Sequence, residues 1–255
     1  MVYNAGNRPL DEFGDSVDRV QYTVKVDQVF LLAAVDSYRE NYANDLDDTW
    51  GAATAFMYNT EKASSGLYAT YRRQNIDDAA FGLLTLDLHG RAEAGPLVSE
   101  LEFAFQYGKG DLEGGLDDVA VSALGAALNA ELSLEKLFIG LDLGMAQGDP
   151  EPDDKEFKTF RFDPDYSLGL MMFEEPMPVL EPSVKNTSNL GRELGAARTG
   201  YSVSNALFVR PSVGATLLPG LRGDLYVLAA RAFATTEEDA GNRGYGAEID
   251  ARLRW

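Results

Sequence analysis

The sequence predicts an all-β fold, a transmembrane antiparallel β-barrel with about 11–12 strands in this chain. Three observations carry this. Stretches of alternating apolar and polar residues recur along the chain, the period of strands with one oily and one wet face. No run of about eighteen apolar residues occurs, so a helical membrane span is excluded, while a barrel needs no such run. Short and long connectors alternate, the asymmetry of a barrel with tight turns at one end and loops at the other.

The strands follow in order. In Val17–Val26, Val20, Tyr22, Val24 and Val26 oppose Arg19, Gln21, Thr23 and Lys25. Val29–Tyr38 and Thr49–Asn59 come next, then Gly66–Arg73, Phe81–Gly90 and Leu97–Tyr107. In the last of these, Leu101, Phe103, Phe105 and Tyr107 alternate with Glu100, Glu102, Ala104 and Gln106. Val119–Leu132 and Leu137–Ala146 follow, the latter with Asp142 among glycines on its second face. Ala206–Leu217, Leu221–Phe233 and Tyr245–Trp255 complete the set. The final stretch sets Tyr245, Ala247, Ile249, Ala251, Leu253 and Trp255 against Gly246, Glu248, Asp250, Arg252 and Arg254. Ten steps of ~3.3 Å tilted by about 45° cover roughly 23 Å, close to the apolar band of a membrane barrel.

Residues 1–255 read as a single barrel domain. The N-terminus, Met1-Val2-Tyr3-Asn4, has neither the basic start nor the apolar core of a signal peptide. An odd strand count conflicts with the even number of single-chain bacterial barrels. The expectation is therefore that a signal peptide and at least one N-terminal strand are lacking. The competing expectation is that Phe157–Phe173 supplies a twelfth strand.

Net charge is −19, from 22 basic and 41 acidic residues, so no basic surface is available for nucleic acid. The acid concentrates in Asp45–Asp48, Asp111–Asp118, Asp149–Glu156 and Glu237–Asp239, read as solvated loops; none has calcium-loop spacing. There is no cysteine and one histidine, which removes disulfides, thiolate ligands and histidine-based metal sites. No cofactor or metal is expected. His89 follows Asp87 at i+2, the arrangement of some outer-membrane proteases, but the flanking acidic pair is missing and the expected topology puts His89 near a tight turn. No serine follows it, and neither a G-x-S-x-G nor a phosphate-binding loop exists. No catalytic residue is assigned, and the chain is not expected to be an enzyme.

With the oily faces in lipid, the lumen would hold Arg19, Gln21, Thr23, Lys25, Glu100, Glu102, Gln106, Asp142, Glu248, Asp250, Arg252 and Arg254. Opposite charges about 5 Å apart on neighbouring strands would brace the wall and set selectivity. The long segment Gln147–Asn205 is too aromatic for a solvated loop. It either extends the wall as a hairpin or folds over or into the lumen. In the second case Phe160, Arg161, Phe162 and Tyr166 are the constriction candidates.

The terminal strand Y-G-A-E-I-D-A-R-L-R-W resembles the closing strand of Gram-negative outer-membrane β-barrels. That resemblance implies a bacterial outer-membrane location, contact with outer-membrane lipid, and insertion by the outer-membrane assembly machinery with Trp255 as the assembly signal. The stretch F-R-F-D-P-D-Y-S-L-G-L-M-M-F is similar to a segment of outer-membrane proteins related to the alginate-export type. This resemblance implies a porin-like exporter of an anionic polysaccharide with an arginine-rich lumen; the candidate inward residues here carry both signs. The functional expectation is a porin-like channel for polar solutes or an anionic polysaccharide. The alternatives are a structural or adhesion barrel with a plugged lumen, and a soluble lipocalin-like carrier. The carrier needs its oily faces stacked inward.

Overall fold

The structure is a computed structural model that describes residues 18–38, 49–76, 79–112, 116–151, 154–163, 166–173, 202–235 and 243–255. Its strands are β1 (Asp18–Val26), β2 (Val29–Tyr38), β3 (Thr49–Asn59), β4 (Ala63–Ile76), β5 (Ala79–Ala94) and β6 (Leu97–Leu112). They continue with β7 (Leu116–Leu134), β8 (Leu137–Ala146), β9 (Glu156–Phe157), β10 (Ala206–Leu218), β11 (Leu221–Ala232) and β12 (Gly244–Arg254). The fold is all-β: β1 to β8 and then β10 to β12 form one antiparallel meander, each strand bonded to the next. Residues 1–17 and the expected acidic loops Asp45–Asp48 and Glu237–Asp239 lie outside the described residues.

Three predicted strands, β2, β3 and β8, have the bounds the alternation gives. Tight turns close one end of the sheet at residues 27–28, 95–96, 135–136 and 219–220. Asp27 (φ 50°) and Gly220 (φ 80°) take the left-handed backbone that such short hairpins require. The other end departs from expectation. Strands β4 to β7 run 14, 16, 16 and 19 residues, against 9 to 13 for the other strands of the meander. The expected loop Gly108–Asp118 is mostly paired strand, with Leu112 opposite Leu116. Glycines and charges there hide the strand period without preventing the ladder, because backbone bonds are indifferent to side-chain polarity.

One register row crosses the sheet from β1 to β11: Thr23, Leu32, Ala55, Tyr68, Asp87, Ala104, Gly125, Ala146, Ala206 and Ala232. These residues and their i±2 neighbours form the concave face. The opposite face carries Val20, Val35, Phe56, Leu88, Leu101, Phe103, Ile139, Val213, Leu225 and Ile249, all solvent-exposed. Among the described residues, the oily strand faces are not stacked in a dry interior, the arrangement that a soluble carrier needs. Curvature is visible in one bond: Arg222 Nη2 of β11 donates to Glu131 Oε2 of β7 at 2.9 Å, across β8 and β10. A flat sheet would hold those two strands about 14 Å apart with Arg222 four residues along β11 from Tyr226, the position level with Glu131, and the two side chains could not meet.

Two expectations are corrected. The residues Phe157–Phe173 do not add a twelfth wall strand: β9 is two residues long and lies parallel on β7, with Ala120 opposite Glu156 and Val121 opposite Phe157. It takes the β7 edge that the short β8 leaves free. Strands β1 and β12 are therefore the two edges of the meander and run in the same direction; among the described residues no pairing joins them. Tyr245 is not on the oily face. The register shifts between Ala230 and Arg231, Gly246 sits at φ 120°, and Tyr245 packs with the inner cluster of Leu168, Phe173 and Leu228. The bulge breaks the period of two that the sequence displays without a break.

Candidate pore lining and inner strap

The register places all twelve predicted lining residues, the nine charged ones (Arg19, Lys25, Glu100, Glu102, Asp142, Glu248, Asp250, Arg252 and Arg254) with Gln21, Thr23 and Gln106, on the concave face. It also brings several into ion pairs. Arg19 Nε donates to Asp36 Oδ1 at 2.6 Å and its Nη2 to Asp36 Oδ2 at 2.8 Å, a two-pronged pair. Arg210 Nε donates to Asp142 Oδ2 at 2.7 Å, and the Asn129 amide donates to the other oxygen. At the turn end, Arg222 joins Glu131 and Asp224 at 2.9 and 2.6 Å, and Arg254 Nη2 reaches the second Asp224 oxygen at 2.7 Å. The Arg222 guanidinium also covers the Phe138 ring, 3.6 Å from its centroid. His89 Nε2 lies 2.9 Å from Glu100 Oε1. Asp36, Arg210, Glu131, Arg222 and Asp224 escaped the sequence reading. Arg222-Gly223-Asp224, opposite in phase to Leu221 and Leu225, carried a visible signal. The Arg210–Asp142 pair carried none, because it exists only through the register.

Residues 156–163 and 166–173 form a strap across this face. It leaves the wall where Gln147 N donates to the Leu124 carbonyl at 3.0 Å and Phe160 N to the Gln147 carbonyl at 2.9 Å. Asp149, fully buried at the strap's root, accepts from the amides of Glu151 (3.0 Å) and Lys158 (3.2 Å). Burial pushes its carboxyl above the usual carboxylate range despite those two donors. Phe160, 2% exposed, fills a socket that Gly125 opens in β7; a Cβ at Gly125 would fall inside the ring. Phe162 stacks edge-on against Phe160, Tyr166 and the Phe208 ring of β10, at centroid distances of 5.8, 5.0 and 6.3 Å. Burial and the nearby Asp142 carboxylate hold the Tyr166 phenol protonated far above its ordinary range. Arg161 bridges to Ser204, and Phe162 N donates to Val203 O at 2.9 Å. The Arg210 guanidinium donates to the Leu168 carbonyl. Of the four constriction candidates, Phe160, Phe162 and Tyr166 thus have their rings against the wall and one another.

The far end of the strap is held differently. Glu248 of β12 accepts three consecutive strap amides: Leu170 N (2.8 Å) and Met171 N (2.9 Å) on Oε1, Met172 N (2.7 Å) on Oε2. Phe173 and Tyr245 meet edge to face at 5.3 Å. Tyr245 Oη donates to the Asn205 carbonyl at 3.2 Å, while the buried Asn205 side chain exchanges two bonds with Ala234, at 2.9 and 2.8 Å. Asn205 was not visible as a functional residue in the sequence, since its role rests on contacts tens of residues away.

The two halves of the concave face differ. Between the strap and β6–β7 only about 60 Å³ is left, beside Glu102, Phe162 and Asp163. Over β1 to β5 a cavity of about 270 Å³ opens, lined among others by Arg19, Phe30, Met57, Tyr68, Asp87 and His89. Trp255, 97% exposed, ends the chain just past β12.

No protein-family model matches the chain, and no curated protein matches it either. Among solved structures it is similar to OmpT, an outer membrane protein of Vibrio cholerae. The outer-membrane-expressed form gives a TM-score of 0.42 at 9% identity, covering 93% of this chain and 64% of that one. A loop L8 deletion mutant gives 0.41 at 9% identity, with 92% and 61% covered, and the in-vitro folded form gives 0.39 at 10%, with 93% and 64% covered. The chain thus spans less than two thirds of the length of those structures.

Proposed function

We propose that this chain is the wall of a porin-like channel in a bacterial outer membrane and passes small polar solutes without a covalent step. The observation that supports this most is the division of the sheet into two faces: an exposed apolar outer face and a concave inner face of paired charges. A soluble monomer rarely leaves so large an apolar surface in water. In lipid the same surface is the stable one along the interior strands β2 to β8, β10 and β11, where the ladder bonds the backbone on both sides. The lining residues Arg19, Lys25, Glu100, Glu102, Asp142, Glu248, Asp250, Arg252 and Arg254 would set the field that a solute crosses. Outer-membrane lipid and the assembly machinery are the proposed partners, with Trp255 as the recognition end. Passage of an anionic polysaccharide finds less support. Arg19, Arg210, Arg222 and Arg254 are each bound to a carboxylate, and the chain's net charge of −19 repels polyanions. A second reading, a plugged adhesion barrel, is favoured by the strap that covers β6 to β12.

Planar-bilayer recording of the detergent-refolded, full-length gene product separates the two. The channel reading expects discrete conductance steps and a preference for cations. Silence at all voltages, with a correctly folded protein in the membrane, removes it and leaves the plugged barrel.

A further inference from the structure

We propose that Glu248 is a latch that holds the strap down across the lumen, and that releasing it widens the passage; this rests on the channel reading. The strap has two attachments of different kinds. At Phe160 and Leu168 it is held by burial, both side chains being at most 2% exposed. At Leu170 and Met171 burial contributes little, since those side chains are 72% and 77% exposed. The backbone of this turn is held by one carboxylate receiving three consecutive amides, between the buried side chains of Leu168 on one flank and Met172 and Phe173 on the other. Backbone amides converging in this way form an anion-binding concavity, and bonds to an ionised acceptor are the stronger class. Here the anion is built into β12.

The latch is local. Gly169 passes so close to β12 that a Cβ on it would lie 2.6 Å from Glu248 Oε2 and 3.1 Å from Leu228 Cδ2. A side chain there forces the turn and the Glu248 carboxylate apart, whichever of the two moves. Loss of Glu248 removes the three amide bonds at residues 170–172 while the rings of Phe160 and Phe162 stay docked on Gly125 and Phe208. The turn would then lift between its buried flanks, Leu168 and Phe173, and the space it vacates adjoins Leu228 on the inner face.

Two readouts test this, one of them independent of conduction. Amide exchange of the refolded protein in micelles should show Leu170, Met171 and Met172 protected in the parent. In Glu248→Ala they should exchange roughly tenfold faster or more, with β12 itself unchanged, as expected for local opening. Single-channel conductance should rise by about twofold or more in the same variant, as when a constriction is relieved. Gly169→Ala, which leaves β12 intact, should reproduce both effects and covers the case in which Glu248→Ala does not assemble. Unchanged exchange at the three amides overturns the latch. Faster exchange with unchanged conductance, in a parent that conducts, overturns the gating role alone. A parent and variants that are all silent overturn the channel reading together with the gating, and that outcome is distinct from the previous two.

Discussion

The two halves of the concave face are built on the same ladder and yet end differently. On β6 to β12 the inner residues include Gly125, Ala104, Ala123 and Ala146, and Phe160 of the strap fills the space those small residues leave. On β1 to β5 the inner face carries the large side chains Phe30, Leu32, Met57 and Tyr68 beside the small Ala55 and Gly66; together they line an open cavity of about 270 Å³, and no described segment lies over them. A wall made of small residues needs a cover, because an unfilled apolar surface loses dispersion contacts on one side. A wall of large residues does not. The difference shows that the position of the strap is written in the wall as much as in the strap.

Removing Trp255 acts before the comparison begins. We expect it to abolish membrane assembly of the whole sheet, read as loss of heat-modifiable migration on a gel; normal migration would show that the terminal aromatic is dispensable. Deleting Phe157–Phe173 uncovers one half only. Conductance should rise while the protein still assembles, and an unchanged value would mean that the strap lies outside the solute path. Phe160→Ala tests the same asymmetry by stability. It empties a buried socket and should cost about 3 kcal/mol or more, whereas Phe30→Ala on the half-buried bare wall should cost about 1 kcal/mol. Equal shifts in the unfolding midpoint would erase the distinction between the halves.

The smallest effect concerns Asp149 at the strap's root. Its folded pKa is raised by burial, so as pH falls the folded chain takes up this proton before the unfolded chain does. Ionised Asp149 therefore costs stability at neutral pH, and the cost is relieved as pH drops through the raised value. The thermal midpoint should therefore carry a small gain as pH falls from neutral through the raised value, and Asp149→Asn, which also turns one amide acceptor into a donor and costs stability at every pH, should lose that gain. The same acid gain in Asp149→Asn would point to a group other than Asp149.

Much of the wall was legible from the alternation alone. β2, β3 and β8 have their predicted ends, and every predicted lining residue is on the inner face, because a period of two assigns each side chain to a face without reference to its neighbours. What alternation does not carry is the identity of the residue opposite. Arg210 meets Asp142, and Arg222 meets Glu131, only once β7, β8, β10 and β11 are aligned. The strands β6 and β7 outran their predicted ends because Gly108, Gly110 and Asp117 look like loop while the backbone continues to pair. Tyr245 turned inward because a bulge changes the phase of a strand without leaving a mark in its composition. Whether Phe157–Phe173 joined the wall or covered it was open in the sequence. The deciding features are the socket at Gly125 and the carboxylate of Glu248, distant from the strap along the chain.

The central claim is that the oily face meets lipid and the paired-charge face meets water. The chain contains no cysteine, so single cysteines can be placed at will on β3 and β4. In liposomes, a membrane-impermeant maleimide should label cysteine at Ala55, Met57, Tyr68 and Thr70, while cysteine at Thr54, Phe56, Leu67 and Ala69 should stay unreactive and be accessible to a lipid-borne probe. Labelling with the opposite phase, or with no alternation, would contradict the account.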